Sequence, residues 1–565
     1  MGSPTASVLH DLSDEQRVAA AAPVAPMAIW AGAGSGKTRV LTRRIAHRVA
    51  DGSAQERHIV AVTFTRKAAE ELRTRLHSLI GNADIVAGTF HAIAYAQLRQ
   101  WHADHDKIMP SLVSSRRSFV KRNLSQYAER IDFDVAIPII DWARARAIAV
   151  DEFHAQLVIR NTPLLPREIP VMAELYGAYQ TEKRKRHVVD FDDLLLQTAH
   201  LFRSDKDFAE AQRWRFRHFF VDEVQDINPS QIALLQAWLG GRDDLCVVGD
   251  ANQAIYGWNG ADSSYLRDFA NHYKDANVVQ LRDNYRSTSN ILSFAHAALE
   301  IADTTHHAVR GAGSDPTLTP YKSDSEEVQQ VVNAIDEARA SGLMFTDIAV
   351  LARTNAQLEP FAHELRRRGY PVRLRTNSRE AQNKLRKIVN IWKDESPELT
   401  PMAALAQWSD QNDNEESISM AQQLEELVAE YAAIDPGGTT ATFAEWLTVA
   451  TSTDDTREPG IDLLTFHKAK GLEWHTVFTV GLENGFVPIN SGDVDEERRL
   501  LYVALTRATD VLHTSYAKER KFGSQIASRE ASPFLVRASA SKLETAEASD
   551  WRDALATARA KLRTR

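Results

Sequence analysis

Residues Ala31, Gly32, Ala33, Gly34, Ser35, Gly36, Lys37 and Thr38 make a glycine-rich run whose types suit phosphate chemistry. Glycines let backbone N–H groups turn inward around phosphate oxygens at the positive end of a following helix. Lys37 would reach the β- and γ-phosphates, and the Thr38 hydroxyl would hold Mg²⁺. Alanine at 31 replaces the first glycine of the general pattern. A partner site is offered by Phe219-Phe220-Val221-Asp222-Glu223, an apolar strand ending in two carboxylates. Asp222 suits the magnesium shell, and Glu223 suits a water attacking a γ-phosphate in line. A nucleoside triphosphate with Mg²⁺ is therefore the expected ligand.

The elements that must position these groups are legible around them. Met27 to Trp30 is a short apolar run, and after the loop Leu41, Ile45 and Val49 recur at helical spacing. This is strand, glycine loop, helix. Strand signals return at 58–63, 84–89, 218–221 and 244–249, each followed by helix-compatible sequence. Such alternation predicts a parallel sheet covered on both faces. Charge-rich helical sequence between about Trp101 and Leu201 reads as an insertion. A second α/β series is expected from near Val278, with strands at 347–351 and 476–480 and a helical interruption from Asn377 to Glu458. The last residues, with Trp551, Leu555 and Leu562 at helical spacing, read as a terminal helix or a frayed tail.

At 565 residues the chain has room for about three or four domains. Its 44% hydrophobic and 25% charged residues are those of a globular protein, which excludes a wholly disordered chain. A net charge of −9 rules out coating nucleic acid by bulk charge, so any phosphate backbone must be held in a local basic groove. The single cysteine, Cys246, permits no intramolecular disulfide and no multi-thiolate zinc site. The N-terminus lacks the basic region of a signal peptide. The uncharged run Val18 to Ser35 holds Pro23, Pro26 and glycines, and reads as a loop and buried strand rather than a membrane span.

The string Val221-Asp222-Glu223-Val224-Gln225-Asp226, with the phosphate loop, resembles the superfamily-1 DNA helicases of the UvrD/PcrA/Rep type. Further matching strings follow in order: Leu12 to Gln16, Thr63 to Leu72, Gly88 to Ala94, Asp190 to Leu195, Gly249 to Asp262, Leu281 to Thr288, Thr465 to Trp474 and Arg498 to Ala508. The resemblance implies an α/β fold of two RecA-like P-loop motor domains, each with a helical insertion. The first motor domain would take 1–108 and 200–280, with its insertion at 109–199. The second would take 281–376 and 459–540, with a shortened insertion at 377–458 and a tail at 541–565.

It also implies roles. Gln16 would read the adenine edge, Tyr285 stack on that base, Glu473 meet the ribose and Arg39 lie in the nucleotide site. Gln253 would sense the γ-phosphate, and Arg286 and Arg507 would neutralise the transferring phosphoryl group from the second domain. Phe64, Tyr256, Trp258 and His91 fall where the family contacts single-stranded DNA, while Thr63, Thr89 and His467 would touch phosphates or link the sites. Aromatic stacking suits a motor because every base has a π-face. The implied activity is ATP-driven 3′ to 5′ translocation on single-stranded DNA and unwinding at single-strand/duplex junctions, in repair or replication restart. The expected partners are DNA and repair proteins, without a membrane; a monomer and a DNA-assembled dimer both stay open. The expected location is cytoplasmic, at the nucleoid in a bacterium.

The sequence departs from the family in three places. Asn259 stands where family members usually carry Arg, and Arg66 where Asn is common. The second insertion is about half the family's usual length and lacks a Gly-Ile-Gly-type duplex-binding signature, so translocation is better supported than unwinding. That favours as alternatives a motor that strips proteins from single strands, or the motor subunit of a helicase–nuclease. A small-molecule P-loop kinase is disfavoured by the aromatic loop and paired arginines. The basic string Lys183-Arg184-Lys185-Arg186 reads either as a duplex contact or as a solvated surface.

Overall fold

Runs of Val, Ile, Phe and Ala without polar alternation become strands buried on both faces, as parallel sheets require. β1 (Met27–Ala31), β2 (Ile59–Thr63) and β3 (Val86–Thr89) come first. A helical excursion follows, tied at its root by β4 (Ser111–Leu112) pairing with β5 (Val188–Val189). β6 (His218–Val221), β7 (Leu245–Gly249) and β8 (Asn277–Leu281) complete a six-stranded parallel sheet in the order β3-β2-β6-β7-β1-β8. The computed structural model describes residues 8–535 except 25, 82–83, 114, 161–162, 301–305, 375–377, 413–414, 436, 451–459, 491 and 523–524. The tail expected at 541–565 lies outside the described residues.

The second unit opens with β9 (Asp283–Thr288) pairing with β10 (His307–Arg310). Its sheet is built from β11 (Thr317–Ser323), β12 (Ile348–Ala352), β13 (Val372–Leu374), β14 (Ile461–Thr465), β15 (Trp474–Thr479) and β16 (Ala508–Phe522). These run parallel in the order β11-β16-β15-β12-β14-β13, and β17 (Gln525–Ser528) adds an antiparallel hairpin on β16. Helices cover both sheets.

Two readings need correction. Spacing alone puts the strand at Val278 in the second series, but β8 pairs with β1, Met27 opposite Asn277, as the edge of the first sheet, on the first unit's side of the boundary that the resemblance implies. The boundary at 199/200 falls inside the helix Phe191–Ser204, whose Leu194, Leu195, Ala199 and Phe202 are buried in the first unit's core. An amphipathic helix belongs to the core its apolar stripe meets.

The insertion of the second unit consists of helices Ser378–Glu395, Pro401–Gln411, Glu415–Ile434 and Thr440–Ala450. It leaves one unit and packs on the other. Leu424, Tyr431, Phe443 and Trp446 join the hydrophobic cluster that contains Phe90 and Leu98 of the first unit. The Tyr95 hydroxyl donates to the Thr442 carbonyl at 3.4 Å, Arg99 pairs with Asp435, and the Arg66 guanidinium lies 5.7 Å from the Trp446 ring centre.

Lys183 settles part of the basic string. Its side chain is only 3% exposed, with Nζ 2.6 Å from Asp190 and 2.5 Å from Asp193, so it is a buried ion-pair member rather than a duplex contact. Asp190 also meets Arg116 at 3.3 Å and accepts from the Tyr179 hydroxyl at 2.7 Å. Burial alone would raise the Asp190 pKa; Arg116, Arg144 and Lys183 outweigh it and hold the carboxyl below its ordinary value. Asp190→Ala is expected to cost about 3–5 kcal/mol, because buried cations lose their counter-charge. Since the folded-state pKa is depressed, this stabilisation is complete above the unfolded value near about 4 and is lost as pH falls below it. Denaturant titration of the variant checks the magnitude, and a loss under about 1 kcal/mol would refute it.

Candidate functional site

The loop after β1 and the carboxylates after β6 lie at the C-terminal edge of the first sheet, where open α/β sheets gather ligand groups. Gly34 and Gly36 take left-handed conformations, φ 69° and 81°, which side chains disfavour. A Cβ at Gly34 would also come within 2.7 Å of Asn284 and Arg286, so the second unit approaches the loop directly. Gly36 caps the helix Lys37–Ala50, whose first N–H groups and macrodipole favour an anion. Lys37 Nζ donates to the carbonyls of Ala31 at 3.2 Å and Gly32 at 3.4 Å, holding its charge at the mouth of the loop. The Thr38 hydroxyl donates to Asp222 at 3.0 Å, joining the two strand ends.

Asp222 and Glu223 are adjacent but electrically unlike. Burial first, then the Glu223 charge, push Asp222 well above the ordinary carboxylate range. Burial acts on Glu223 in the same direction, but Lys470 and Lys37 outweigh it and hold Glu223 low. Glu223 is also one of the few non-glycine residues with positive φ, 52°, a strained conformation of the kind found at working sites. The hydroxyl of Thr38 and the buried acid Asp222 suit a hard divalent cation completed by phosphate oxygens and water. The glycine cradle and Lys37 suit the triphosphate itself.

The second unit supplies the opposite wall. Lys470 pairs with Asp226, lies 3.6 Å from Glu223 and donates to the Gln253 carbonyl at 2.7 Å. Burial lifts Asp226 to about 7 even against Lys470. Gln253 donates to Asp250 at 2.7 Å and accepts from Arg507 at 3.4 Å. Arg507 is 1% exposed; burial first, then Arg286, pull it down to about 9. Arg286 Nε donates to Glu473 at 2.5 Å, so two residues expected on different parts of the nucleotide hold one another. Asn284 donates to the Ala33 carbonyl at 2.5 Å and the Tyr285 N–H to the Gly34 carbonyl at 2.8 Å. The Tyr502 hydroxyl meets the Ala33 N–H.

At the expected base site, Tyr285 is 39% exposed beside the loop. Gln16 is buried, its amide donating to the Ser35 carbonyl at 2.9 Å and its oxygen accepting from the Ser13 N–H at 3.2 Å. Arg39 donates to the Asp11 carbonyl and fastens this N-terminal segment to the helix.

A second cluster sits across the seam. Phe64 stacks on Tyr256 with ring centres 5.1 Å apart, and Tyr256, Trp258 and His467 lie mutually within 6.3–6.4 Å. Trp258 is 60% exposed, a cost for so large an apolar ring. Burial first, then Arg353 and Lys470, lower His467 to about 4, leaving a neutral imidazole near pH 7. The Glu496 carboxylate of the second unit lies against Gly257, where an added Cβ would collide with it, beside the Trp258 backbone N–H, and Arg499 donates to the Ala254 carbonyl at 2.8 Å, so the helix Val494–Leu505 grips this loop. Of three further expected contacts, two are engaged within the first unit and one is unpartnered among the described residues. His91 packs edge-on against Phe191, with ring centres 6.1 Å apart, outside the aromatic cluster. The Thr89 hydroxyl caps the helix Phe90–Asp104 through the Ala92 N–H. The Thr63 hydroxyl is buried at the end of β2 without a hydrogen-bond partner among the described residues.

Lys470, Asp226, Asn284 and Tyr502 were missed as site residues although all lie within the matching strings. Their residue types were visible; their partners, far off in sequence, were not. Glu496 lies just outside those strings and carried no signal of its own.

Residues 12–274 match the family described as the UvrD/REP helicase N-terminal domain, and 279–379 with 373–519 match the UvrD-like helicase C-terminal domain. The chain is 35% identical over 573 residues to ATP-dependent DNA helicase UvrD2 of Mycobacterium tuberculosis, covering 94% of this chain and 81% of that protein. It is 29% identical to ATP-dependent DNA helicase PcrA of Leuconostoc citreum, over 97% of this chain and 87% of the relative. For DNA helicase II of Escherichia coli K12 the identity is 28%, over 92% and 86%. Among the described residues no helix is long and apolar enough to cross a membrane.

Proposed function

Because the chain belongs to the UvrD/REP helicase family, we propose that it is an ATP-dependent 3′ to 5′ single-stranded DNA translocase and DNA helicase. The observation that carries this reading is Lys470, which pairs with Asp226 beside the catalytic carboxylates and lies 5.4 Å from the Tyr256 ring centre in the aromatic cluster. One cation of the second unit thus touches both sites of the first. Nucleotide-driven movement of the second unit therefore pulls on the DNA-facing loop.

In this reading Lys37 and the loop N–H groups, Gly32 to Thr38, bind the phosphates. Gln16 and Tyr285 hold the base, after Gln16 exchanges its contacts with Ser13 and Ser35. Thr38 and Asp222 would hold Mg²⁺, which would supply positive charge against the phosphates. Glu223 orients the attacking water and accepts its proton. Arg286, once it leaves Glu473 to the ribose, joins Arg507 on the transferring phosphoryl group, and Gln253 reports its state to Asp250. Alternating affinity of open and closed clefts for the strand converts hydrolysis into movement. Single-stranded DNA and its junctions with duplex are the substrates, and repair or replication restart alongside repair proteins is the setting.

The test is steady-state ATPase with and without single-stranded DNA, beside unwinding of 3′-tailed and 5′-tailed duplexes. Strong stimulation with unwinding of the 3′-tailed substrate alone is expected; the absence of any stimulation would end the motor reading. Trp258→Ala is expected to raise the DNA concentration for half-maximal stimulation by about 5- to 150-fold, the equivalent of one lost base stack of about 1–3 kcal/mol. An unchanged DNA requirement would remove Trp258 from the strand's path.

The docked second insertion favours an additional reading, a motor that strips proteins from single strands with little unwinding. Displacement of streptavidin from the 5′ end of a biotin-labelled single strand, faster than from its 3′ end and without strand separation, is its signature.

A further inference from the structure

The loop Gly257–Asp262, which presents Trp258, is held on its other side by the first unit's helical insertion. The α-carbon of Gly260 abuts Ala145 so closely that an added Cβ would stand 2.7 Å from the Ala145 Cβ. Ala145 ends the helix Phe133–Ala145, which is anchored by the Ser230 hydroxyl donating to the Arg144 and Ala145 carbonyls at 2.9 and 3.0 Å. The next residue is Arg146. A second guanidinium, that of Arg160, lies over the Trp142 ring of the same helix, 4.2 Å from its centre. Stacking of this kind fixes a guanidinium in place while leaving its in-plane N–H donors available.

Two features distinguish this pair from ordinary surface arginines. Arg146 Nε and Arg160 Nη1 are both shielded from solvent, yet neither has a hydrogen-bond partner among the described residues. The two charges also oppose each other: burial first, then Arg146, hold the Arg160 pKa below its ordinary value. Burial would raise the pKa of Asp262, but the Ser264 hydrogen bonds, Arg146 and Arg267 outweigh it and hold the carboxyl low, so Arg146 shares this acid with a second arginine. Buried N–H groups without acceptors and like charges held together are stabilised by an anion with several oxygens. The loop itself carries Asn259, which is uncharged.

We propose that Arg146 and Arg160, on the first helical insertion, clamp a backbone phosphodiester of the single strand whose bases meet Trp258. The chain's net charge of −9 makes such a local cationic site necessary for strand binding at ordinary salt. A phosphate contact carries no sequence information, which suits a grip that must be released and remade at each step. The clamp rests on the single-strand reading given above, and its test separates the two.

The full chain is titrated with fluorescent oligothymidylate, read by anisotropy, across a salt series. The variant Arg146→Gln/Arg160→Gln is expected to lose about 0.7 from the slope of log affinity against log salt, the value for one phosphate contact on a single strand, and to bind about 5-fold more weakly near 0.1 M salt. Adding Asn259→Arg to that variant restores about 0.7 of the slope, because the loop again offers a cation. Retention of the wild-type slope by the double variant overturns the clamp. If the double variant is too unstable to titrate, Arg160→Gln alone is expected to lose part of that slope, up to about 0.7, and no loss is equally fatal. An equal loss of slope on blunt duplex also overturns the assignment, since it would place duplex phosphates on these arginines. Failure of the wild-type chain to bind oligothymidylate would sink the single-strand reading itself.

Discussion

Replacing Arg507 by alanine is expected to lower kcat for ATP hydrolysis by about 10³- to 10⁵-fold, the range associated with an arginine that meets a transferring phosphoryl group. The side chain is built for a charge that arrives late. It is buried, it donates to the carbonyls of Val503 at 2.8 Å and Leu472 at 3.2 Å, and its remaining reach is toward Gln253 in the other unit. Burial and the neighbouring Arg286 pull its pKa down to about 9, so its charge is costly until an anion compensates it. Charge that develops on the phosphoryl oxygens is therefore stabilised more than ground-state charge, which is the condition for raising kcat. Arg507→Lys is expected to recover little, because a point charge does not replace a planar fork of donors. Single-turnover hydrolysis measured beside nucleotide affinity checks this; an alanine variant within tenfold of wild type would rule out a role in the chemical step.

Lys37→Ala is expected to reduce hydrolysis by about 10³-fold or more, since a full positive charge leaves the phosphate site. The loss extends beyond the phosphates. Lys37 also acts on Asp222, Glu223 and Asp226, lowering the pKa of each, so its removal shifts all three buried acids upward. The aromatic cluster has its own supports in Glu496 and Arg499, so strand binding should survive. The discriminating pair of measurements is ATPase activity and oligothymidylate binding on one preparation. Substantial ATPase activity would displace Lys37 from the site, and joint loss of both functions would mean the variant had not folded.

The chemistry of the first unit was legible because it is written locally. A glycine run between an apolar strand and a helical period, and an apolar strand ending in Asp222 and Glu223, describe their own backbone geometry through spacing alone. The matching strings extended this to the second unit, including Arg286 and Arg507. Strand positions came within a residue or two for the same reason: 58–63 against Ile59–Thr63, and 347–351 against Ile348–Ala352.

What spacing does not encode is which distant group satisfies a buried charge. Lys470 meets Asp226 across 244 residues, and Thr38 meets Asp222 across 184. Lys183, one of four consecutive basic residues, proved to be a buried partner of Asp190, because desolvation sets its role and desolvation depends on what packs above it. The same holds for β8, whose apolar run fits either sheet until β1 offers an open edge, and for the second insertion, whose apolar faces find their cover on the first unit. The amino-acid sequence by itself determined the local backbone, the phosphate loop and the residue types available for the proposed chemistry. Only the tertiary structure decided how those groups are paired, which arginines beside Trp258 keep N–H donors without acceptors, and how one cation spans two sites, because burial and Coulomb energy depend on distances that exist only after the chain has folded.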